Sequence, residues 1–170
     1  TWPAAPLFTA RSALTMPNPL FAPGTPLLYE GQLIARKYEV IRQLGEGWEG
    51  QVYLVRERAT QIERAVKVFF PQRNLREGAA KHHARKLHAL RHCPIAIQYH
   101  ARETITRGHT PLTLLVSEFV EGELLSEFIA RQPGKRLSVF QGVHLLHALA
   151  SGIECIHNMN EYHGDLHTDN

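Results

Sequence analysis

Apolar and polar residues alternate in short runs through the first half of this chain and recur at helical spacing through the second. Tyr38-Glu39-Val40-Ile41-Arg42-Gln43-Leu44 predicts a strand that leads into a glycine-rich stretch, and Gln51 to Arg56 predicts a strand that leads out of it. Ile62 to Phe70 forms a third run with Ala65, Lys67 and Phe69 on one face. Three consecutive strands joined by tight turns make an antiparallel meander. Residues 75–91 carry Ala79, Ala80, Ala84, Leu87 and Leu90 with Lys and Arg between them, which predicts a helix ended by Cys93-Pro94. Ile97 to Glu103 and Leu112 to Phe119 predict two more strands, with Thr106-Arg107-Gly108-His109-Thr110 between them as a hairpin signal. Glu123 to Arg131 reads as a short helix stopped by Pro133-Gly134. Ser138 to Met159 reads as a long amphipathic helix with Ser138 as N-cap and Leu145, Leu149, Ile153 and Ile156 along its buried face. The order is three strands, a helix, two strands and then helices, an α+β pattern without internal repeats.

Six of the ten prolines, Pro3, Pro6, Pro17, Pro19, Pro23 and Pro26, fall before position 27. Proline removes backbone donors and blocks helix and central strand, so residues 1–30 read as an extended arm. Trp2, Leu7, Phe8, Leu20 and Phe21 are apolar enough to bury, so a docked segment is the other reading. Beyond the arm, the pattern divides into residues 31–119, rich in strands, and residues 120–170, rich in helix.

Composition narrows the class. A chain of 170 residues can bury roughly 70% of its unfolded surface as one domain, and 44% hydrophobic with 21% charged residues is ordinary for a globular chain. The net charge of +3 is spread over many segments. It forms no basic stripe, so a nucleic-acid partner is not expected. Cys93 and Cys155 lie in different segments without a C-x-x-C, which fits buried thiols in a reducing compartment. No apolar run approaches the roughly 18 residues of a membrane span, and the first residues carry no charged-then-apolar signal, so the expected location is cytoplasmic. His88 with His92, and His144 with His147, have spacings that can put two metal ligands on one helix face, but neither pair has a Cys or carboxylate at ligand spacing nearby. They read as surface or packed histidines.

Chemistry enters with Gly45-Glu46-Gly47-Trp48-Glu49-Gly50-Gln51-Val52. A G-x-G-x-x-G also occurs in dinucleotide-binding turns, but those open a helix at the last glycine. Here Val52-Tyr53-Leu54-Val55 is β-branched and aromatic and predicts a strand, so the glycines sit in a strand-turn-strand. Glycines at that place let the backbone approach a polyphosphate and aim its N–H groups at the oxygens, or they serve a plain hairpin turn. Lys67 lies fifteen residues beyond Val52 in Ala65-Val66-Lys67, on the next strand, where an ammonium can reach the phosphates.

Gly45, Gly47, Gly50, Val52, Ala65 and Lys67 together resemble the small lobe of protein kinases, position by position. The resemblance implies a kinase-like small lobe of five antiparallel strands and one helix over residues 31–119, followed by the hinge and first helices of a large lobe. It implies ATP and Mg²⁺ as cofactors, with Glu46 and Trp48 completing the phosphate loop and Val52 and Ala65 forming the ceiling over the base. Trp48 stands where the family usually carries an aromatic residue at the loop tip. Val116-Ser117-Glu118-Phe119-Val120-Glu121-Gly122 is similar to the adenine-holding hinge, with Ser117 as gatekeeper, Glu118 offering a backbone carbonyl and Val120 a backbone N–H. His163-Gly164-Asp165-Leu166-His167-Thr168-Asp169-Asn170 resembles the catalytic loop, which makes Asp165 the base or substrate orienter and Asn170 a magnesium ligand. Asp169 reads as a solvated loop carboxylate.

Three departures qualify the resemblance. Gly164 replaces the arginine that in many kinases pairs with an activation-loop phosphate, so that mode of switching is not expected. His167 replaces a lysine, a form similar to aminoglycoside phosphotransferase-like and other small-molecule kinases. The family's helix glutamate, which pairs with the strand lysine, would fall near Ala84 to Lys86, and no acid is there; Glu77 is seven residues upstream. A shifted helix that recruits Glu77, an acid from elsewhere, and a nucleotide-binding pseudokinase used as an interaction module are the readings that follow. The family's Asp-Phe-Gly motif and most of the large lobe would lie beyond Asn170, so the expectation is a fragment of a longer Ser/Thr protein kinase, with little phosphotransfer alone. Its partner is expected to be a protein substrate, and its large-lobe helices are expected to expose apolar surface that favours self-association.

Overall fold

The computed structural model describes residues 24–169, so most of the proline-rich arm, including Trp2, Leu7, Phe8, Leu20 and Phe21, and the expected metal ligand Asn170 lie outside the described residues. Six strands form one antiparallel sheet: β1 (Leu33–Ile34), β2 (Tyr38–Gly47), β3 (Gly50–Glu57), β4 (Glu63–Phe69), β5 (Tyr99–Arg107) and β6 (Thr110–Glu118). Their order across the sheet is β1-β2-β3-β4-β6-β5. Helix α1 (Gly78–Ala89) crosses from the meander to the β5–β6 hairpin, and α2 (Leu125–Arg131) and α3 (Val139–Asn158) follow. The five strands and the helices read from the sequence are present; β1 is an addition too short for periodicity to register.

Cross-strand pairing assigns the two faces of the sheet. Partners share a face, and β3 pairs with β4 as Gln51 with Val68, Val52 with Lys67, Tyr53 with Val66 and Leu54 with Ala65. β4 pairs with β6 as Ala65 with Ser117, Val66 with Val116, and Lys67 with Leu115. One face therefore gathers Tyr53, Val55, Val66, Val68, Leu114 and Val116 into the main core. The other carries Val52, Ala65, Lys67 and Ser117, and Phe69 and Leu115 pack there against Ala80 of α1.

The main core is closed by the last residues of the arm. Leu27 and Leu28 are almost fully buried in it, and their backbone N–H groups donate to the Tyr53 hydroxyl at 3.0 and 3.1 Å. Tyr53 donates in turn to Gln51 Oε1, which also accepts from Leu27 N at 2.8 Å. Gln51 is fully buried, and its amide N–H₂ donates to the Thr25 carbonyl and the Glu46 carboxylate. Arg107 fastens the same segment from β5 by donating to the Pro26 carbonyl at 2.6 Å. A buried amide and phenol are tolerated here because each polar atom has a partner. The arm thus docks at least from Thr25 onward, through leucines different from the apolar residues singled out in its sequence.

Two helices differ from their expected limits. The helix expected from residue 75 begins at Gly78, because Arg76 and Glu77 turn left-handed (φ 53° and 60°). This break lets the Asn74 side chain accept from Ala80 N at 3.1 Å, satisfying a first-turn donor. Helix α3 begins where the capping box requires: Ser138 Oγ accepts from Gln141 N, and the Gln141 side chain accepts from Ser138 N. Its expected buried stripe is covered only at the C-terminal end, where Ile156 packs with Leu90 and Cys93, and Ile153 lies alongside. Leu149 is exposed, as are Val139, Phe140, Val143 and Leu146. Helix α3, 20 residues long, contains a window of mean hydropathy 1.3 and is long and apolar enough to cross a membrane by length and composition alone. His, Gln and Gly interrupt its apolar residues, so it is not an unbroken apolar run.

Candidate nucleotide site

The glycine-rich segment is a tight hairpin in which Gly47 pairs with Gly50 and only Trp48 and Glu49 form the turn. Its three glycines do different work. A Cβ on Gly45 or Gly47 would meet nothing within 4 Å, so the protein itself does not demand glycine there, and the space beside that backbone is open. A Cβ on Gly50 would lie 2.0 Å from the Val68 carbonyl oxygen, so β3 and β4 approach as they do only because Gly50 has none. Phe70 N donates to the Glu49 carbonyl at 2.8 Å, fastening the turn to the end of β4.

Val52, Ala65, Lys67 and Ser117 lie on one face by their strand register, with Glu118 at the end of β6 and Val120 exposed just beyond it. Val52 and Ala65 are the adjacent apolar positions expected over a base. Glu118 N donates to the Gln98 carbonyl at 2.9 Å, which anchors the end of the strand. Glu46 is corrected. It pairs with Gln51 on the opposite face, its carboxylate accepts from Gly24 N and Gln51 Nε2, and only its backbone is available to a ligand at the glycines. Trp48 projects outward, 73% exposed, with the Arg73 guanidinium 3.3 Å from its ring centroid. A stacked pair of that kind steadies the hairpin tip.

Lys67 has an acidic partner that the sequence reading did not identify. Its ammonium donates to Glu49 Oε2 at 2.6 Å, and the same oxygen lies 2.7 Å from Nε2 of His83, on α1. A carboxylate only accepts, so His83 Nε2 carries the shared proton. Burial works to raise the Glu49 pKa, but the hydrogen bonds and charges of Lys67 and His83 outweigh it and hold the carboxyl below its ordinary value. Burial and the Lys67 charge hold His83 below the ordinary histidine value despite the pull of Glu49, so its ring is neutral at neutral pH. Glu77 is not recruited: its carboxylate binds Arg102 at 2.6 Å and Lys81 at 3.2 Å. The signal in the sequence was an acid inside the glycine motif combined with a helix that lacked one.

The segment after α3 runs beside α1 and α2. Lys86 donates to the His163 carbonyl at 3.3 Å and its ammonium lies over the Tyr162 ring, while Ser126 N donates to the Thr168 carbonyl at 2.9 Å. Gly164 takes φ +82°, a conformation that suits the residue found there in place of arginine. Asp165 is largely exposed, with His167 Nε2 3.7 Å from its carboxylate and the His163 ring accepting from its backbone N–H. Asp169 is also exposed, and its backbone N–H donates to the His167 ring. Among the described residues no group of three or more His, Cys, Asp and Glu side chains is placed to hold a metal ion.

Comparison with known proteins extends these observations. A model of the protein kinase domain matches residues 38–170. The chain is 31% identical over 137 residues to the serine/threonine-protein kinase pkn2 of Myxococcus xanthus, covering 79% of this chain and 16% of that protein. It is 28% identical to the CBL-interacting serine/threonine-protein kinase 13 of Arabidopsis thaliana, covering 83% of this chain and 27% of that one. The fold is similar to the crystal structure of the M. tuberculosis PknI kinase domain, with a TM-score of 0.65 and 22% identity over 84% of this chain and 56% of that chain. This chain therefore spans a minor part of the curated relatives it matches.

Proposed function

This chain belongs to the protein kinase domain family, and from that premise we propose that it is the nucleotide-binding part of an ATP- and magnesium-dependent Ser/Thr protein kinase. One observation carries the reading: Gly45 and Gly47 leave open backbone beside the sheet face that holds Val52, Ala65, Lys67 and Ser117. The residues fit the cofactor. Val52 and Ala65 would cover the base, the backbone of Glu118 and Val120 would hold its edge, and the Gly45 and Gly47 backbone with Lys67 would hold the phosphates. When bound, ATP supplies the phosphoryl group and magnesium neutralises its charge. Asp165, exposed toward solvent, would orient the substrate hydroxyl and accept its proton, and Asn170 would contribute to the metal. The similarity to Ser/Thr protein kinases supports a protein hydroxyl as acceptor, with a small molecule as the alternative. Cys93 and Cys155 are free thiols in contact with each other, and a reducing, cytoplasmic setting is part of the proposal.

A second reading, a nucleotide-responsive binding module without phosphotransfer, is favoured by the absence of an acid at Ala84 to Lys86 of α1. One substitution divides the two. In the whole protein, Asp165→Ala is expected to abolish transfer from ATP to a protein substrate while calorimetric ATP binding persists. Transfer that persists in Asp165→Ala would overturn the assignment of the base, and a wild type that binds ATP without any transfer would favour the binding module.

A further inference from the structure

Lys67, Glu49 and His83 form a connected unit across three elements: a strand, the turn of a hairpin and a helix. The turn that carries Glu49 is tied to the sheet. Glu49 is fastened through its carbonyl to Phe70 N, and the next residue, Gly50, is wedged against the Val68 carbonyl. Its carboxylate is therefore held in the space between β4 and α1. His83 approaches from the helix side, its ring tilted against Phe69 with centroids 5.7 Å apart, and the Lys67 ammonium also lies 5.0 Å from the Phe69 ring centroid. An ammonium has three donors; one is committed to Glu49, which leaves the others for phosphate oxygens. With a neutral ring, the unit carries one positive and one negative charge, so its value lies in geometry rather than in added attraction.

We propose that Glu49, carried by the glycine hairpin and braced by His83 of α1, is the acidic positioning partner of Lys67 in place of an acid on the helix. This role rests on the nucleotide-binding reading, but the unit itself is testable without nucleotide. His83 faces Glu49, Lys67, the adjacent His82 and the Phe69 ring. Glu49 raises the His83 pKa and Lys67 lowers it. In NMR titrations of the histidine ring, Glu49→Gln is thus expected to move the His83 midpoint down and Lys67→Met to move it up. Midpoints unchanged in both variants would overturn the unit. With ATP and magnesium, calorimetry is expected to show about 10-fold weaker binding for Glu49→Gln, the usual worth of a charge-assisted contact. The double variant Glu49→Gln/His83→Glu, which returns an acid to the helix, is expected to recover binding. Equal or tighter binding in Glu49→Gln would mean that the carboxylate competes with phosphate for Lys67, and would overturn the positioning role. A wild type that binds no ATP while the histidine shifts occur would sink the nucleotide-binding reading and leave the pairing standing.

Discussion

Replacing Gly50 by alanine tests the division of labour among the three glycines. The added methyl would sit 2.0 Å from Val68 O, 2.9 Å from its carbonyl carbon and 3.0 Å from Phe69 Cα, all backbone atoms that cannot rotate away. Relief requires β3 and β4 to part by roughly an ångström at the root of the hairpin, enough to weaken the Gly50–Phe69 pairing and the 2.8 Å bond from Phe70 N to the Glu49 carbonyl. Strain of this kind and two weakened hydrogen bonds together cost about 3 kcal/mol. For a domain of this length that lowers Tm by roughly 6–12 °C. Gly45→Ala and Gly47→Ala meet open space and no positive φ, so each is expected to melt within about 2 °C of wild type and to weaken ATP binding instead. Differential scanning calorimetry beside ATP titration separates the two outcomes. A Gly50→Ala protein that melts like wild type would refute the reasoning, as would Gly45→Ala and Gly47→Ala proteins that bind ATP unchanged.

Three further outcomes follow from the packing. Tyr53→Phe leaves the Leu28 N–H without its acceptor in the core, while the Leu27 N–H keeps Gln51 Oε1, so it is expected to cost about 1–3 kcal/mol and to speed hydrogen exchange at the Leu28 amide above all. Ser138→Ala removes one arm of the capping box and is expected to cost about 1 kcal/mol in urea unfolding, with Ser138→Asp close to wild type. Because His83 and Glu49 are both held below their ordinary values of 6.5 and 4.5, the unfolded chain takes up protons first as the pH falls. Their contributions are complete at neutral pH; the His83 share is lost as the pH falls below 6.5 and the Glu49 share as it falls below 4.5, so melts at pH 7, 5 and 4 should fall stepwise. Glu49→Gln should flatten the step between pH 5 and 4.

Much of the architecture was legible because its signals are local. The alternation in Tyr38 to Leu44, Gln51 to Arg56 and Ile62 to Phe70 returned as β2, β3 and β4, and the Ser138 cap returned with its first-turn partner Gln141. Errors came where distant groups compete with local preference. Asn74 capped Ala80 and moved the start of α1, and β1 exists only because β2 offers it an edge. The stripe on α3 read as buried, but helical periodicity gives a face without saying how far a neighbour covers it.

At the candidate site the same boundary holds. Sequence alone determined that glycines between two strands and an Ala-Val-Lys on the third would share one part of the sheet, since chain order and strand period place them. Only the tertiary structure decided their partners. It turned Glu46 to the arm side and Glu49 toward Lys67, although the two are three residues apart in one motif, because the side-chain direction in a tight hairpin depends on its register against β4. It also brought His83 from a helix to a loop carboxylate 34 positions away, a contact that no period along the chain encodes.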